Sequence, residues 1–488
     1  MSIREKAIQG VLWSALQNWG SQVGSLLVFF LLARLLTPEA FGLVAMANIF
    51  LAFMQIFLQQ GFAQSLIQRQ DLEPEHIDTA FWTNLAIGAC LTAFGLTAAG
   101  WVAAQFQQPQ LTPILQVLSL LFLITACGNV QQALLERAFN FRATATRALA
   151  ATLVGGAAGI GLALAGFGVW SLVGQQVIQE LTGVLVLWHA SDWRPRFRVS
   201  LSHFWQLFHF GMPILGFNFL NFLNSRADDL LIGYFLGAVP LGYYSIAYRI
   251  LGVMQQLLVQ TSQQIALPTF SRLQSDLEQF RQAFYTATQL TSLIAFPIFL
   301  GVLVLAPELV VMLFGEQWTP SIPVLQVLSL AGIFQSISFF KSSVFMAMGK
   351  PSWSLWLSLL TVVLNLIGFS IAVRWGIVAV AAAFVIRGYV VFPIGQWAVS
   401  RLIHIPVLVY VKQFTVPLLS AITMAGFLFL LRNWLLALTS LYILVVPVSA
   451  LLGALFYIGL IRFCSPTLFY KLLTILYSPF TKKVKTPS

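Results

Sequence analysis

The chain reads PILQVLSL at Pro113–Leu120 and PVLQVLSL at Pro323–Leu330, each time at the start of a long apolar run. The second copy begins 210 positions after the first, and the same offset places Gly166 on Gly376. Upstream, an offset of 200 pairs Leu31 with Leu231, Leu36 with Leu236, Gly42 with Gly242, Ala47 with Ala247 and Gln64 with Gln264. Ten residues are therefore inserted between Gln264 and Pro323. Isolated matches in so apolar a chain mean little, but here their order is kept across several helices, which is the mark of an internal duplication.

What is duplicated follows from composition. Of 488 residues, 59% are hydrophobic and only 8% charged, and the mean hydropathy is +0.85, far from the charge content of soluble domains. Hydrocarbon about 30 Å thick needs roughly 20 apolar residues per spanning helix, and such runs recur from end to end. Ile443–Ile461 is apolar on every face, whereas barrel strands alternate over about ten residues. The expected fold is an all-α polytopic membrane protein with about fourteen spans. They fall at 12–36, 40–62, 79–101, 111–134, 147–167, 169–189, 212–236, 240–262, 283–306, 321–344, 357–377, 379–400, 412–434 and 440–463.

Six spans per copy is an even number, so the copies share an orientation and are related by a pseudo-two-fold axis along the membrane normal. This divides the chain into six-helix bundles at 1–200 and 201–405, facing each other across a cleft, two further helices at 406–465 and a basic tail at 466–488. One set of loops holds nearly all Lys and Arg outside the spans, and the opposite set only Arg34, Arg374 and Arg432. Basic loops stay in the cytoplasm, which puts both termini there and accounts for the net charge of +11 without nucleic-acid binding. Trp101, Trp170, Trp318, Trp375 and Trp434 fall at the outer border, and Trp82, Trp188, Trp205, Trp356 and Trp397 among those at the inner one, as an aromatic belt.

MSIREK leads into an apolar stretch without a cleavage site and reads as a retained first helix. Cys90, Cys127 and Cys464 form an odd set without ligand spacing. His76, His189, His203, His209 and His404 sit in or beside the basic loops, also without such spacing, so no metal site is expected.

Polar groups inside spans point to function, because charges in hydrocarbon are costly and face a bundle interior or a wet cavity. The seventh span places Asn218, Asn221, Ser225 and Asp228 on one stripe, with Asp229 beside it and Arg226 further round. Its neighbour carries Arg249, Gln256 and Gln260, and the second span carries Asn48, Gln55 and Gln59 at the same spacings. By helical rise, Arg226, Arg249 and Arg387 lie about 12–15 Å from the outer ends of their spans. Two readings of Arg226, Arg249, Asp228 and Asp229 stand: a self-neutralising structural cluster, or anion ligands released during a transport cycle. Arg387 either faces the cleft or pairs with Glu180, and Lys341 either joins it or snorkels to the interface.

The opening GVLWSALQNWGSQVGSLLVFFLLARLLTPEAFGLVAMA, Gly10–Ala47, resembles the start of bacterial polysaccharide flippases, and DDLLIGYFLGAVPLGYYSIAYRI, Asp228–Ile250, is similar to the start of their second half. With the repeat, the resemblance covers nearly the whole chain. It points to the oligosaccharide-lipid flippases of the multidrug/oligosaccharidyl-lipid/polysaccharide exporter superfamily, closest to its colanic-acid-exporter-like branch. It implies an undecaprenyl-pyrophosphate-linked oligosaccharide as cargo, turned from the cytoplasmic to the outer leaflet of the inner membrane for surface polysaccharide assembly. Arg226, Arg249, Arg387 and Lys341 would then hold the pyrophosphate, and Asn48, Gln55, Gln59, Asn218, Asn221, Gln256 and Gln260 the sugar hydroxyls. Asp228, Asp229 and Glu180 would couple transport to a proton or sodium gradient, with no other cofactor. A monomer is expected, alongside membrane lipids, the polysaccharide polymerase and the chain-length machinery.

A multidrug/cation antiporter of the same superfamily would call for an anionic cavity and twelve spans; a lipid II flippase would share the fourteen spans and a cationic one. A membrane polymerase or ligase would need a large charged outer loop, which is missing here, so no enzyme activity is expected.

Overall fold

The computed structural model describes residues 3–59, 61–256, 261–439 and 441–470, and every regular element among them is a helix. In order these are α1 (Ile3–Leu35), α2 (Pro38–Leu58), α3 (Phe62–Gln68), α4 (Pro74–Gln105), α5 (Leu111–Arg137), α6 (Phe141–Leu164) and α7 (Val169–Ala190). Then come α8 (Leu201–Leu236), α9 (Ala238–Gln255), α10 (Thr261–Leu273), α11 (Leu277–Phe314), α12 (Ser321–Ser338), α13 (Lys341–Ala347), α14 (Pro351–Ala372) and α15 (Ile377–Ile403). The chain continues through α16 (Val407–Leu438) and α17 (Tyr442–Cys464); the basic tail beyond residue 470 and Gln260 lie outside the described residues.

Among the described residues, ten stretches are long and apolar enough to cross a membrane, with α12 and α13 counted together, which makes this a multi-pass membrane protein. The other expected spans are helical as well, on α1, α7, α8 and α9. Two of these, α7 and α8, carry Glu180 and the Asn/Asp stripe, polar residues that lower their mean hydropathy.

The element order runs twice. α1–α7 correspond one by one to α8–α15, with α5 matched by α12 and α13 together. The repeated octapeptide folds alike in both places: Leu115, Leu118 and Ser119 are buried in α5, and Leu325, Leu328 and Ser329 in α12. Each serine hydroxyl donates to the carbonyl four residues back, Ser119 to Leu115 and Ser329 to Leu325, both at 2.7 Å. Gly166 and Gly376 both take positive φ, 82° and 91°, at the turn before the next helix. That region favours glycine because it has no Cβ.

Where one long helix is expected at 40–62, the structure has two, α2 then α3; at 240–262, α9 and α10 flank residues 257–260, which lie outside the described residues. The first break is explained by Gly61, at φ 81°. The tenth expected span is likewise split, with Phe339 and Phe340 between α12 and α13; no Gly or Pro accounts for it. Helix starts follow their caps: the Thr37 hydroxyl accepts from Ala40 N–H ahead of Pro38, and Asp276 accepts from the N–H groups of Glu278 and Gln279.

The chain passes from one compact unit to the next between Ser245 and Ile246, within α9. In the first, α6 and α7 lie close because Gly155 and Gly159 leave room for Gln179 and Gln175. A core of Phe62, Leu66, Phe81 and Val130 joins α3, α4 and α5. In the second, α11 packs on α12, α16 and α17 around Phe280, Phe284, Phe296, Tyr410 and Phe414. Leu164, Leu185, Ile386 and Leu430 are exposed, as lipid-facing residues must be. Trp101, Trp375 and Trp434 are exposed near helix ends, but Trp318, expected in that belt, is completely buried and packs on Phe314.

Candidate functional site

In the first unit the α8 stripe does not share one environment. Near its start, Asn218 is half-buried and its Nδ2 donates to the carbonyl of Gln59 at 3.4 Å. Gln59 is the C-cap of α2. Phe53 of α2 lies against Phe219 and Phe222, fixing α2 along α8 at this level. Asn221 is exposed, and Ser225 turns its hydroxyl back onto the Asn221 carbonyl. Asn48 and Gln55 are half-buried on α2.

Two turns on, the stripe becomes an ion-pair network. Asp228 is 2% exposed; it accepts from the Tyr244 hydroxyl at 2.7 Å and from the Asp229 N–H at 3.0 Å. Arg226 pairs with Asp229 at 3.0 Å, its own side chain 44% exposed. An uncompensated carboxylate there would be costly, and the Tyr244 bond ties α8 to α9. The pairing of Arg226 with Asp229 is the neutralising arrangement of the structural reading. Glu180 is held differently: Thr125 of α5 donates to it at 3.0 Å and Arg147 of α6 approaches to 3.8 Å.

In the second unit, Lys341 and Arg387 come together. Lys341 begins α13 at the break after α12, and its amine packs over Gly395 of α15, where a Cβ would lie 2.7 Å from Nζ. Arg387 lies two turns earlier on α15, with its guanidinium over the Phe384 ring at 4.6 Å, and the two cations are within Coulombic reach. Phe384 also meets Tyr248 of α9, next to the exposed Arg249. Gln256 is half-buried just past α9. Among the described residues no carboxylate lies within ion-pair distance of Lys341. Two neighbouring cations, one on a ring face, form a surface that suits a multivalent anion.

Sequence reasoning missed three contributors. Gln255 donates to Gln335 of α12, extending the carboxamide set. Tyr244, which the sequence did not single out, is the partner of Asp228. Glu308 of α11 is buried and takes Arg432 of α16 at 2.7 Å; it lies just past the expected span at 283–306, whereas α11 runs through Pro297 and Pro307 to Phe314. The second unit also has an apolar groove of about 400 Å³ between α11, α16 and α17, lined by Ile294, Pro297, Gly301, Val446, Ala450 and Ala454 among others.

The profile of the polysaccharide biosynthesis protein family matches residues 31–323. The chain is 33% identical to the succinoglycan biosynthesis transport protein ExoT of Rhizobium meliloti over 330 residues, 67% of each chain. It is 26% identical to the teichuronic acid biosynthesis protein TuaB of Bacillus subtilis over 424 residues, 86% of this chain and 87% of the other. Among solved structures, the inward closed conformation of the lipid II flippase MurJ superposes with a TM-score of 0.77 at 15% identity, covering 97% of this chain and 100% of that one, a likeness of fold. By the extent of the family match and the identity to a relative covered over two thirds of both chains, the chain belongs to the polysaccharide biosynthesis protein family.

Proposed function

We propose that the protein is a flippase that moves polyprenyl-pyrophosphate-linked oligosaccharide repeat units from the cytoplasmic to the outer leaflet by alternating access, supplying surface polysaccharide assembly. The observation that carries this is membership of the family together with likeness to a relative named as a biosynthesis transport protein. Lys341 and Arg387 are the pyrophosphate ligands in this reading, since both are cations without which the anionic headgroup would enter hydrocarbon uncompensated. Carboxamides of Asn48, Gln55, Asn218, Asn221 and Gln256 meet sugar hydroxyls as donors and acceptors. Arg249, next in the chain to the Tyr248 that meets Phe384, adds further positive charge. Arg226 serves structure through Asp229, and Asp228, Asp229 and Glu180 remain the candidates for ion coupling.

The groove beside α17 suits the isoprenoid chain: its lining is apolar, and the hydroxyl of Tyr457 is turned away to the Leu293 carbonyl at 3.0 Å. This gives α16 and α17, which lie outside the repeat, a role. Fourteen spans, two halves related by an axis along the membrane normal, cytoplasmic termini, the inner membrane and a monomer complete the proposal, with the polymerase and chain-length machinery acting downstream.

The test is reconstitution in liposomes with a fluorescent polyprenyl-pyrophosphate oligosaccharide, following protection of the glycan from an external glycosidase. Protein-dependent protection is expected, lowered at least about tenfold by Lys341→Ala or Arg387→Ala, the equivalent of about 1.4 kcal/mol in transition-state binding. Absence of transfer under every ion gradient would overturn the function. Transfer at wild-type rate in both variants would remove Lys341 and Arg387 from the site.

A further inference from the structure

The start of α4 grips the connector between α7 and α8. Trp82 Nε1 donates to the Arg196 carbonyl at 2.8 Å, Arg196 N–H to Asp78 at 3.1 Å and Ser200 N–H to Thr79 at 3.1 Å, while Arg198 pairs with Glu75 at 3.2 Å. These contacts bring His203, on the first turn of α8, against His76, on the first turn of α4, with ring centroids 4.1 Å apart. Glu73, the N-cap of α4, completes the group: its carboxylate lies 3.3 Å from His203 Nε2. One ligand atom from each of the three residues lies within 4.8 Å of the others. We propose that Glu73, His76 and His203 bind a divalent transition-metal ion of the Zn²⁺ type, clamping the start of α8 to the start of α4.

Four features favour an ion over a merely packed cluster. The donor set, two imidazoles and a carboxylate, is one that Zn²⁺ prefers. The 3.3 Å between His203 Nε2 and the Glu73 oxygen is close to the edge of a tetrahedron whose bonds are about 2.0–2.2 Å. His203 Nδ1 is buried without a hydrogen-bond partner, so this ring is not fully used by its present contacts. Finally, the bonds that now hold His76 are long, 3.3 Å from the Glu73 N–H to Nδ1 and 3.4 Å between Nε2 and Gln206 Oε1, and one nitrogen can exchange its contact for an ion while the other keeps its own. Ligation through Nδ1 leaves Nε2–H donating to Gln206, the outer-shell orientation that metal-bound histidines adopt. The opposing charge is Arg69, whose Nη2 donates to Gln206 Oε1 at 2.6 Å. Gln206 is thus held between the cation and the ring, a positioning residue and not a ligand. The remaining coordination position is left to water.

The experiment uses the full-length protein, purified in detergent through a tag without histidine and titrated with Co²⁺ as the visible probe. A ligand-field band that saturates at one equivalent and is bleached by Zn²⁺ is expected. His203→Gln and His76→Gln should each weaken Co²⁺ binding by more than the ~10–100-fold that loss of an outer-shell partner costs, while His404→Gln, elsewhere in the chain, leaves it unchanged. Since His76 is buried and its variant can misfold, the decisive comparison is the more exposed His203→Gln, checked by size exclusion, with Zn²⁺ raising the melting temperature of the wild type but not of this variant. Absence of a saturable band, or a band and Zn²⁺ stabilisation that persist in His203→Gln, overturns the proposal.

Discussion

Gly395 has no side chain because Lys341 fills the space one would need: a Cβ there would lie 2.7 Å from Nζ and 2.9 Å from Cδ. The obstructing atoms belong to the far end of a flexible chain, so Gly395→Ala should displace the amine and leave the fold intact. Transport is expected to fall toward the Lys341→Ala level with an unchanged melting temperature. Gly388, two turns earlier on α15, makes the contrast, because its Cβ would enter the Phe334 ring at 1.9 Å. Gly388→Ala is therefore expected to destabilise by about 1–3 kcal/mol, the usual cost of overpacking, read as a lowered melting temperature in detergent. If Gly395→Ala unfolds the protein while Gly388→Ala does not, this account of α15 is wrong. The sequence made Lys341, Arg387 and Asp228 visible, since a charge in an apolar run stands out by itself. What it could not reveal is which partner each charge meets: Tyr244 is an unremarkable aromatic until folding places its hydroxyl on Asp228.

At the scale of elements, the pair Glu308–Arg432 fastens α16 to α11. Its carboxylate side chain is 3% exposed and the arginine 19%, so removing one partner leaves the other buried. Arg432→Ala should cost about 3–5 kcal/mol, whereas the double change Glu308→Leu with Arg432→Met should recover most of it; thermal unfolding of the two variants decides, and equal loss in single and double variants would mean that the pair is not what holds α16. The groove beside these helices carries a different expectation. Ala450→Trp, which fills it, should slow transfer of a full-length polyprenyl substrate more than that of a short-chain analogue, in the same liposome assay. Equal slowing of both would place the isoprenoid elsewhere. Helix existence was legible from apolar runs, but helix ends were not. The expected span at 283–306 falls short of α11, which runs on through Pro307 to Phe314, while the break at Phe339 and Phe340 has no residue that announces it.

At the scale of the molecule, the repeat was legible because duplication leaves its signature in residues of special geometry, and the structure uses them twice. Pairings between positions remote in the chain were not: His76 and His203 have no common spacing, and only the grip of α4 on the connector brings them together. One tertiary relation does follow the repeat. Within the first unit, a Cβ on Gly42 would lie 1.8 Å from the Ala238 carbonyl oxygen, and one on Gly242 2.0 Å from that of Pro38. Under the offset of 200 these are the same contact made in both directions, the form that the proposed two-fold relation would give it. The starts of α2 and α9 touch through backbone, and ordinary carbon contacts need about 3.5–4.0 Å, so an alanine at either glycine forces them apart. In the proposed alternating-access cycle these ends would close in one state and part in another. Gly42→Ala and Gly242→Ala should each slow transfer and raise labelling of Asn48→Cys by an impermeant maleimide applied from the side on which α2 begins, in a background with Cys90, Cys127 and Cys464 replaced. A reciprocal contact makes the two variants equivalent. If one is silent while the other abolishes transfer, the ends are not related by the two-fold, and opening there is not the step that the repeat was duplicated to serve.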